Sequence, residues 1–134
     1  MQKKIKDMKE QNFVFGGKAG LTGKEYGTYK YFPQDRDKLK NILDILIIER
    51  GNEGDFNDID TSKVTDMSCL FENQIEFNGD ISLWNTSKVT DMNRMFKGAT
   101  SFNQDLSNWD TEQANTSKMF QGATKMREHL PEWY

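Results

Sequence analysis

Apolar and polar positions along the second half of the chain recur with a period of 25 residues. Residues 61–85 and 86–110 are two full copies of one pattern. Thr61 through Met67 return as Thr86 through Met92, Phe71 as Phe96, Phe77 as Phe102, Asn78 as Asn103, Asp80 as Asp105 and Trp84 as Trp109. A third copy, 111–134, is degenerate and one residue short, but keeps Met119, Phe120, Gly122, Ala123, Thr124, Leu130 and Trp133. A half-copy, 55–60, precedes the first. A unit this short cannot bury its apolar face alone, so the period predicts units packed on one another around a shared core. The expected core columns include Phe71/Phe96/Phe120 and Trp84/Trp109/Trp133, flanked by Val64/Val89/Ala114, Met67/Met92, Leu70/Met95/Met119 and Phe56/Ile81/Leu106/Leu130.

Within each copy the pattern predicts two elements. Asp80–Trp84 and Asp105–Trp109 suit a short strand that pairs in parallel with its neighbour. Met67–Phe71 and Met92–Phe96 show the i, i+3, i+4 spacing of a helical turn. The expected fold class is therefore an α/β solenoid, each coil one short strand and one short helix.

Ahead of the repeats, Leu39, Ile42, Leu43, Leu46 and Ile47 mark one stripe of a helix from about 35 to 50. Pro33 and Asp35 signal its start and Gly51 its stop. The aromatic, alternating stretch Tyr26–Phe32 suits a strand, and Phe13-Val14-Phe15 a second. The expected organisation is one domain: a basic arm over 1–20, a strand-helix cap over 21–54, and repeats over 55–134, divided as 55–60, 61–85, 86–110 and 111–134. At the far end Pro131 stands where Ser82 and Ser107 do, removes a backbone donor and suits an edge.

The polar columns have structural readings. Asn78 and Asn103 fall at corresponding corners and suit an asparagine ladder bonding turn backbone. Asp55, Asp80 and Asp105 form a column with His129 at its end. Like charges in a column repel unless each carboxylate accepts loop N–H groups or all surround a cation. Capping is the expectation, and no metal site is assigned.

Charge and composition narrow the function classes. The chain has 134 residues, 18 basic and 21 acidic side chains, for a net of −3. Residues 1–40 carry a net of +5 and residues 41–134 a net of −8. An acidic body does not suit direct DNA or RNA binding. No apolar run reaches the ~18 residues of a membrane span, so no membrane insertion is expected. The start of the chain does not read as an intact signal peptide, which suits a cytoplasmic protein or a processed or trimmed form. A single Cys excludes an internal disulfide framework. That Cys69 and the one His, His129, lie far apart in the repeat pattern, so no Cys–His nucleophile is expected and no catalytic residue is assigned. One Cys and one His do not make a tetrahedral zinc site. No P-loop, GxSxG or GxGxxG motif is present, and no cofactor is called for.

The two full copies resemble the BspA-like bacterial surface-protein repeat, also found in lipoproteins of small wall-less bacteria. The resemblance covers roughly residues 55–134. It implies a leucine-rich-repeat-like stack, usually secreted or surface-anchored, used for adhesion or other protein binding, with no catalytic residues to carry over. The expectation is a non-enzymatic module whose partner is another protein, on a host surface or inside the cell. The candidate binding surface comprises Lys63, Lys88, Arg94, Lys97 and Lys118, between the core columns, with the aromatics Tyr26, Tyr29 and Tyr134. The alternative is a small intracellular inhibitor or regulator, carried by a mobile element, whose acidic body occupies the basic groove of a nucleic-acid-handling protein. The sequence leaves the oligomeric state open.

Overall fold

The computed structural model describes residues 29–134. The expected arm over 1–20, the Phe13-Val14-Phe15 strand and Tyr26 lie outside the described residues.

One α-helix forms, α1, at Arg36–Arg50. Asp35 caps its start, the carboxylate accepting the Lys38 N–H at 2.9 Å; this satisfies one of the orphan donors of a first turn. Gly51 ends it at φ 86, its N–H donating to Ile47 O at 2.8 Å. Left-handed backbone at that position suits glycine. Leu39, Ile42, Leu43 and Leu46 are the buried stripe. They join a core that also takes in Phe56, Phe71, Phe96 and Phe120.

The α/β solenoid expected from the period is not what forms. Among the described residues there is α1, a single 3-10 turn at Met126–Glu128, no strand and no sheet. Pairing is confined to four isolated parallel bridges, Tyr31 with Ile59, Asp55 with Asp80, Asp66 with Asp91, and Asp91 with Asn115. No stack of strand-and-helix coils is built, and the leucine-rich-repeat-like architecture implied by the resemblance falls with it. Within 21–54 the described part holds α1, while Tyr31 contributes one bridge rather than a strand.

The backbone explains each correction. An α-helix keeps its N–H groups for carbonyls four residues back. Around Met67–Phe71 alternate N–H groups instead leave the segment: Cys69 N–H goes to Asn93 O at 3.0 Å and Phe71 N–H to Met95 O at 2.8 Å. Those between bond three residues back, Leu70 to Met67 O at 3.3 Å and Glu72 to Cys69 O at 3.2 Å. Cys69 and Arg94 also sit at φ 57 and 60, a left-handed conformation that interrupts a right-handed helix. The expected strand at Asp80–Trp84 stops after one bridge. Asp80 Oδ1 takes the Ser82 N–H at 3.0 Å and Trp84 N–H bonds Ile81 O at 3.2 Å, so the chain turns away.

What joins the sequence copies is a set of bonds between turns, with rings beneath them. Phe71, Phe96 and Phe120 lie near-parallel at 5.4 and 5.5 Å between successive centroids. Phe77 and Phe102 follow at 5.9 Å, and Trp84 and Trp109 at 6.3 Å. These seven side chains are buried, and Trp133, next in the tryptophan column, is partly so. Burying each such ring stabilises by roughly 1.5–3 kcal/mol. The indoles also donate: Trp84 Nε1 to Phe56 O at 2.9 Å, Trp109 Nε1 to Ile81 O at 3.0 Å and Trp133 Nε1 to Leu106 O at 2.8 Å.

Candidate interaction surface

The acidic columns are bound up in the turns. Asp55 Oδ1 accepts the Asn57 N–H, Asp80 Oδ1 that of Ser82 and Asp105 Oδ1 that of Ser107, at 2.9, 3.0 and 2.9 Å. Asp60, Asn85 and Asp110 do the same for Ser62, Ser87 and Glu112. Asp66, Asp91 and Asn115 do so for Ser68, Asn93 and Ser117. An Asp or Asn oxygen that accepts the N–H two residues on fixes the turn locally. The Ser107 hydroxyl and N–H hold the Asp105 carboxyl below its ordinary value. Among the described residues no three His, Cys, Asp or Glu side chains come together as a metal would require. His129 N–H closes the 3-10 turn on Met126 O at 3.0 Å.

The candidate cations fall on two kinds of turn. Lys63 and Lys88 are exposed at the tips of equivalent tight turns. In the first, Val64 N–H bonds Thr61 O at 3.0 Å while the buried Thr61 hydroxyl donates to Asn85 O at 2.9 Å. In the second, Val89 N–H bonds Thr86 O at 3.0 Å and the Thr86 hydroxyl donates to Asp110 O at 2.9 Å. Arg94 and Lys118 share the other kind of turn with Cys69; all three have φ between 57 and 60. Arg94 N–H donates to Ser117 O at 3.0 Å, which sets Lys118 beside it. Lys97 closes the Arg94 turn, its N–H on Arg94 O at 3.2 Å. So Arg94, Lys97 and Lys118 are brought together, and Lys63 and Lys88 present a separate pair.

The aromatic candidates do not converge. Tyr29 packs edge-on against Phe32 at 6.4 Å, and burial, then the Asp60 charge, pushes its phenol up. Tyr134 lies edge-on to Phe120 at 5.0 Å and Trp133 at 6.4 Å, and is exposed. The asparagine ladder forms on one rung. Asn78 Oδ1 accepts the Asn103 N–H at 2.8 Å, but the Asn103 carboxamide has no partner of its own among the described residues.

Sequence reasoning missed the joint between α1 and the repeats. Arg50 makes a two-pronged ion pair with Asp58 at 2.9 and 3.0 Å, donates to Asp55 O at 2.8 Å and lies over the Tyr31 and Phe56 rings at 5.9 and 6.0 Å. Arg36 Nε donates to Ser68 O at 2.5 Å. An Arg in the last turn of a helix and one Asp of three in the stretch 55–60 carry no local signal of pairing.

The arrangement defines a turn-rich framework whose recurring Asp and Asn oxygens cap its own backbone, with one cation repeated at Lys63 and Lys88 and others, Arg94, Lys97 and Lys118, at positions that differ between copies. The chain belongs to the family described as Mycoplasma protein of unknown function, DUF285, whose model matches residues 43–134. No curated protein and no solved structure matches the chain. Among the described residues no helix is long and apolar enough to cross a membrane.

Proposed function

We propose that this chain is a non-enzymatic protein-binding module that uses its variable turn surface. One observation carries the reading: a recurring framework of buried residues holds exposed turn positions, several of which change from copy to copy. Thr61/Thr86, Val64/Val89, Met67/Met92, Phe71/Phe96 and Trp84/Trp109 are buried. Cys69/Arg94/Lys118 and Glu72/Lys97/Gln121 are at least partly exposed and change from copy to copy. A fixed framework with free surface positions suits recognition, where a few well-placed side chains carry most of the binding energy. The resemblance of residues 55–134 to the BspA-like repeat supports a surface-binding or adhesive role.

The test is a pull-down on the immobilised chain, with source-cell cytosol and host-surface extract in parallel. The quadruple variant Lys63→Glu, Lys88→Glu, Arg94→Glu, Lys118→Glu runs beside it. A partner held by the native chain and lost by the variant, with unchanged circular dichroism, supports the reading. A partner retained by the variant, or none in either extract, sinks it. A cytosolic partner whose affinity falls steeply with salt identifies the inhibitor alternative.

A further inference from the structure

Asn78 is one of the joints between the two full copies. Its Oδ1 receives the Asn103 N–H at 2.8 Å and Gln104 Nε2 at 3.0 Å, and its main-chain oxygen receives Gln104 Nε2 at 2.9 Å. Its own N–H donates to Asn52 O at 2.9 Å. One asparagine thus reads a two-residue feature in the segment beside it, a backbone N–H followed by a side-chain carboxamide.

Asn103 stands one copy further on. It is exposed, and its carboxamide makes no hydrogen bond among the described residues. The third copy departs from the pattern here. Arg127 sits in the 3-10 turn and gives its N–H to Ala123 O at 3.0 Å instead. The departure leaves a cavity of about 390 Å³ beside Asn103, walled by Leu106, Met126 and Pro131 with Asp105 and His129 at its edge. Asp105 brings a negative charge, and the Asn103 carboxamide brings an unmatched donor and acceptor.

We propose that this cavity docks an extended segment of a partner polypeptide, with a backbone N–H and a following glutamine on Asn103 and a basic side chain against Asp105. The Asn78 joint supplies the template for the first two contacts, and charge complementarity supplies the third. The 103–104 segment of a second copy does not serve, because its own Asn103 N–H and Gln104 are engaged by Asn78. The proposal rests on the protein-binding reading above and gives it a place and a partner chemistry.

The probe is a synthetic peptide of residues 101–107 carrying Asp105→Lys, titrated into the isotopically labelled full chain and followed by amide NMR. Saturable shifts of the Asn103 side-chain amide and of His129 are expected. Asn103→Ala, whose backbone N–H still reaches Asn78, should weaken binding about ten-fold, and so should Gln104→Ala in the peptide. No saturable shift at about 5 mM peptide, or equal affinity for the Asn103→Ala chain, overturns the proposal. A protein captured through the lysine face and still held by Asn103→Ala overturns this docking site while leaving the protein-binding reading standing.

Discussion

Trp109 donates its indole N–H to Ile81 O at 3.0 Å, across 28 residues of sequence, from a side chain that is 4% exposed. The same side chain therefore fills the core and satisfies a carbonyl of the preceding copy. Trp109→Phe keeps the ring and removes the donor. The Ile81 carbonyl loses its indole partner, which costs about 1–3 kcal/mol, and the smaller ring adds a cavity term of roughly 1 kcal/mol. Urea unfolding should show a loss of about 2–4 kcal/mol by these two terms together. Trp133→Phe breaks the corresponding bond to Leu106 O from a partly exposed side chain and should cost less. Equal losses at the two sites would show that burial does not set the strength of this bond.

The tryptophan column is legible in the sequence because the residue recurs in each copy, at Trp84, Trp109 and Trp133. Its hydrogen bonds are not, since the acceptor depends on which way a carbonyl points 27 or 28 residues earlier. Helix α1 is legible from its apolar stripe and from Asp35 and Gly51. The helical turns expected at Met67–Phe71 and Met92–Phe96 were misread for a physical reason. Two linked tight turns put Met67, Leu70 and Phe71 on one side just as a helix does. The left-handed residue that tells them apart is Cys69 or Arg94, not the Gly or Asn that announces such a conformation. Of the candidate surface, Arg94, Lys97 and Lys118 are legible as variable positions and Lys63 and Lys88 as a repeated one. The unmatched Asn103 carboxamide was not, because the sequence repeats Asn78 there and only the third copy's departure leaves it open.

Glycine is needed for two different reasons in this chain. At Gly51 the backbone is left-handed and an added Cβ meets nothing within 4 Å. Gly51→Ala should cost about 1 kcal/mol, the conformational penalty alone. At Gly79 a Cβ would run into two ring carbons of Phe56 and one of Phe77. Both rings are fully buried and lie 5.8 Å apart, so neither has room to retreat. Gly79→Ala should cost about 2–3 kcal/mol as overpacking. Thermal unfolding of the two variants side by side checks the order. A smaller loss at Gly79 than at Gly51 would mean that the Phe56 ring moves freely.

Tyr31 makes folding sensitive to alkali. Its phenol is 1% exposed and its hydroxyl has no hydrogen-bond partner in good geometry among the described residues. Burial pushes its pKa above the ordinary 10.0, with the Arg50 charge pulling the other way. The folded chain then keeps this proton where the unfolded chain has begun to lose it. Stability contributed by this group is full below pH 10 and declines as pH rises past that value. Tyr31→Phe removes both the titration and an unpaired buried hydroxyl. At pH 7 it should leave stability unchanged or raise it by up to ~1 kcal/mol, and it should flatten the alkaline limb between about pH 9.5 and 11. Urea midpoints across that range decide the matter; an alkaline limb identical in the variant would assign it to another group.

Cys69 bears on the absence of catalysis in the proposed function. Its thiol is half-buried, and its pKa is raised by burial first and then by Glu72, against the weaker pull of Arg36 and Arg94. The nucleophile is the thiolate, so a raised pKa leaves less of it at neutral pH. Native chain at pH 7.5 should react with an aromatic disulfide reagent at least about three-fold more slowly than the chain unfolded in urea. Glu72→Gln removes a negative neighbour and a hydrogen bond to the protonated thiol, so it should speed the native reaction without reaching the unfolded rate, because burial remains. An activated nucleophile would show the reverse, a native thiol faster than the unfolded one and slowed by Arg94→Gln. That result would place a depressed pKa at Cys69 and reopen the case for chemistry at this turn. The slow native rate would instead assign Cys69 to the framework, where its N–H and its thiol both reach Asn93 O, at 3.0 and 3.9 Å.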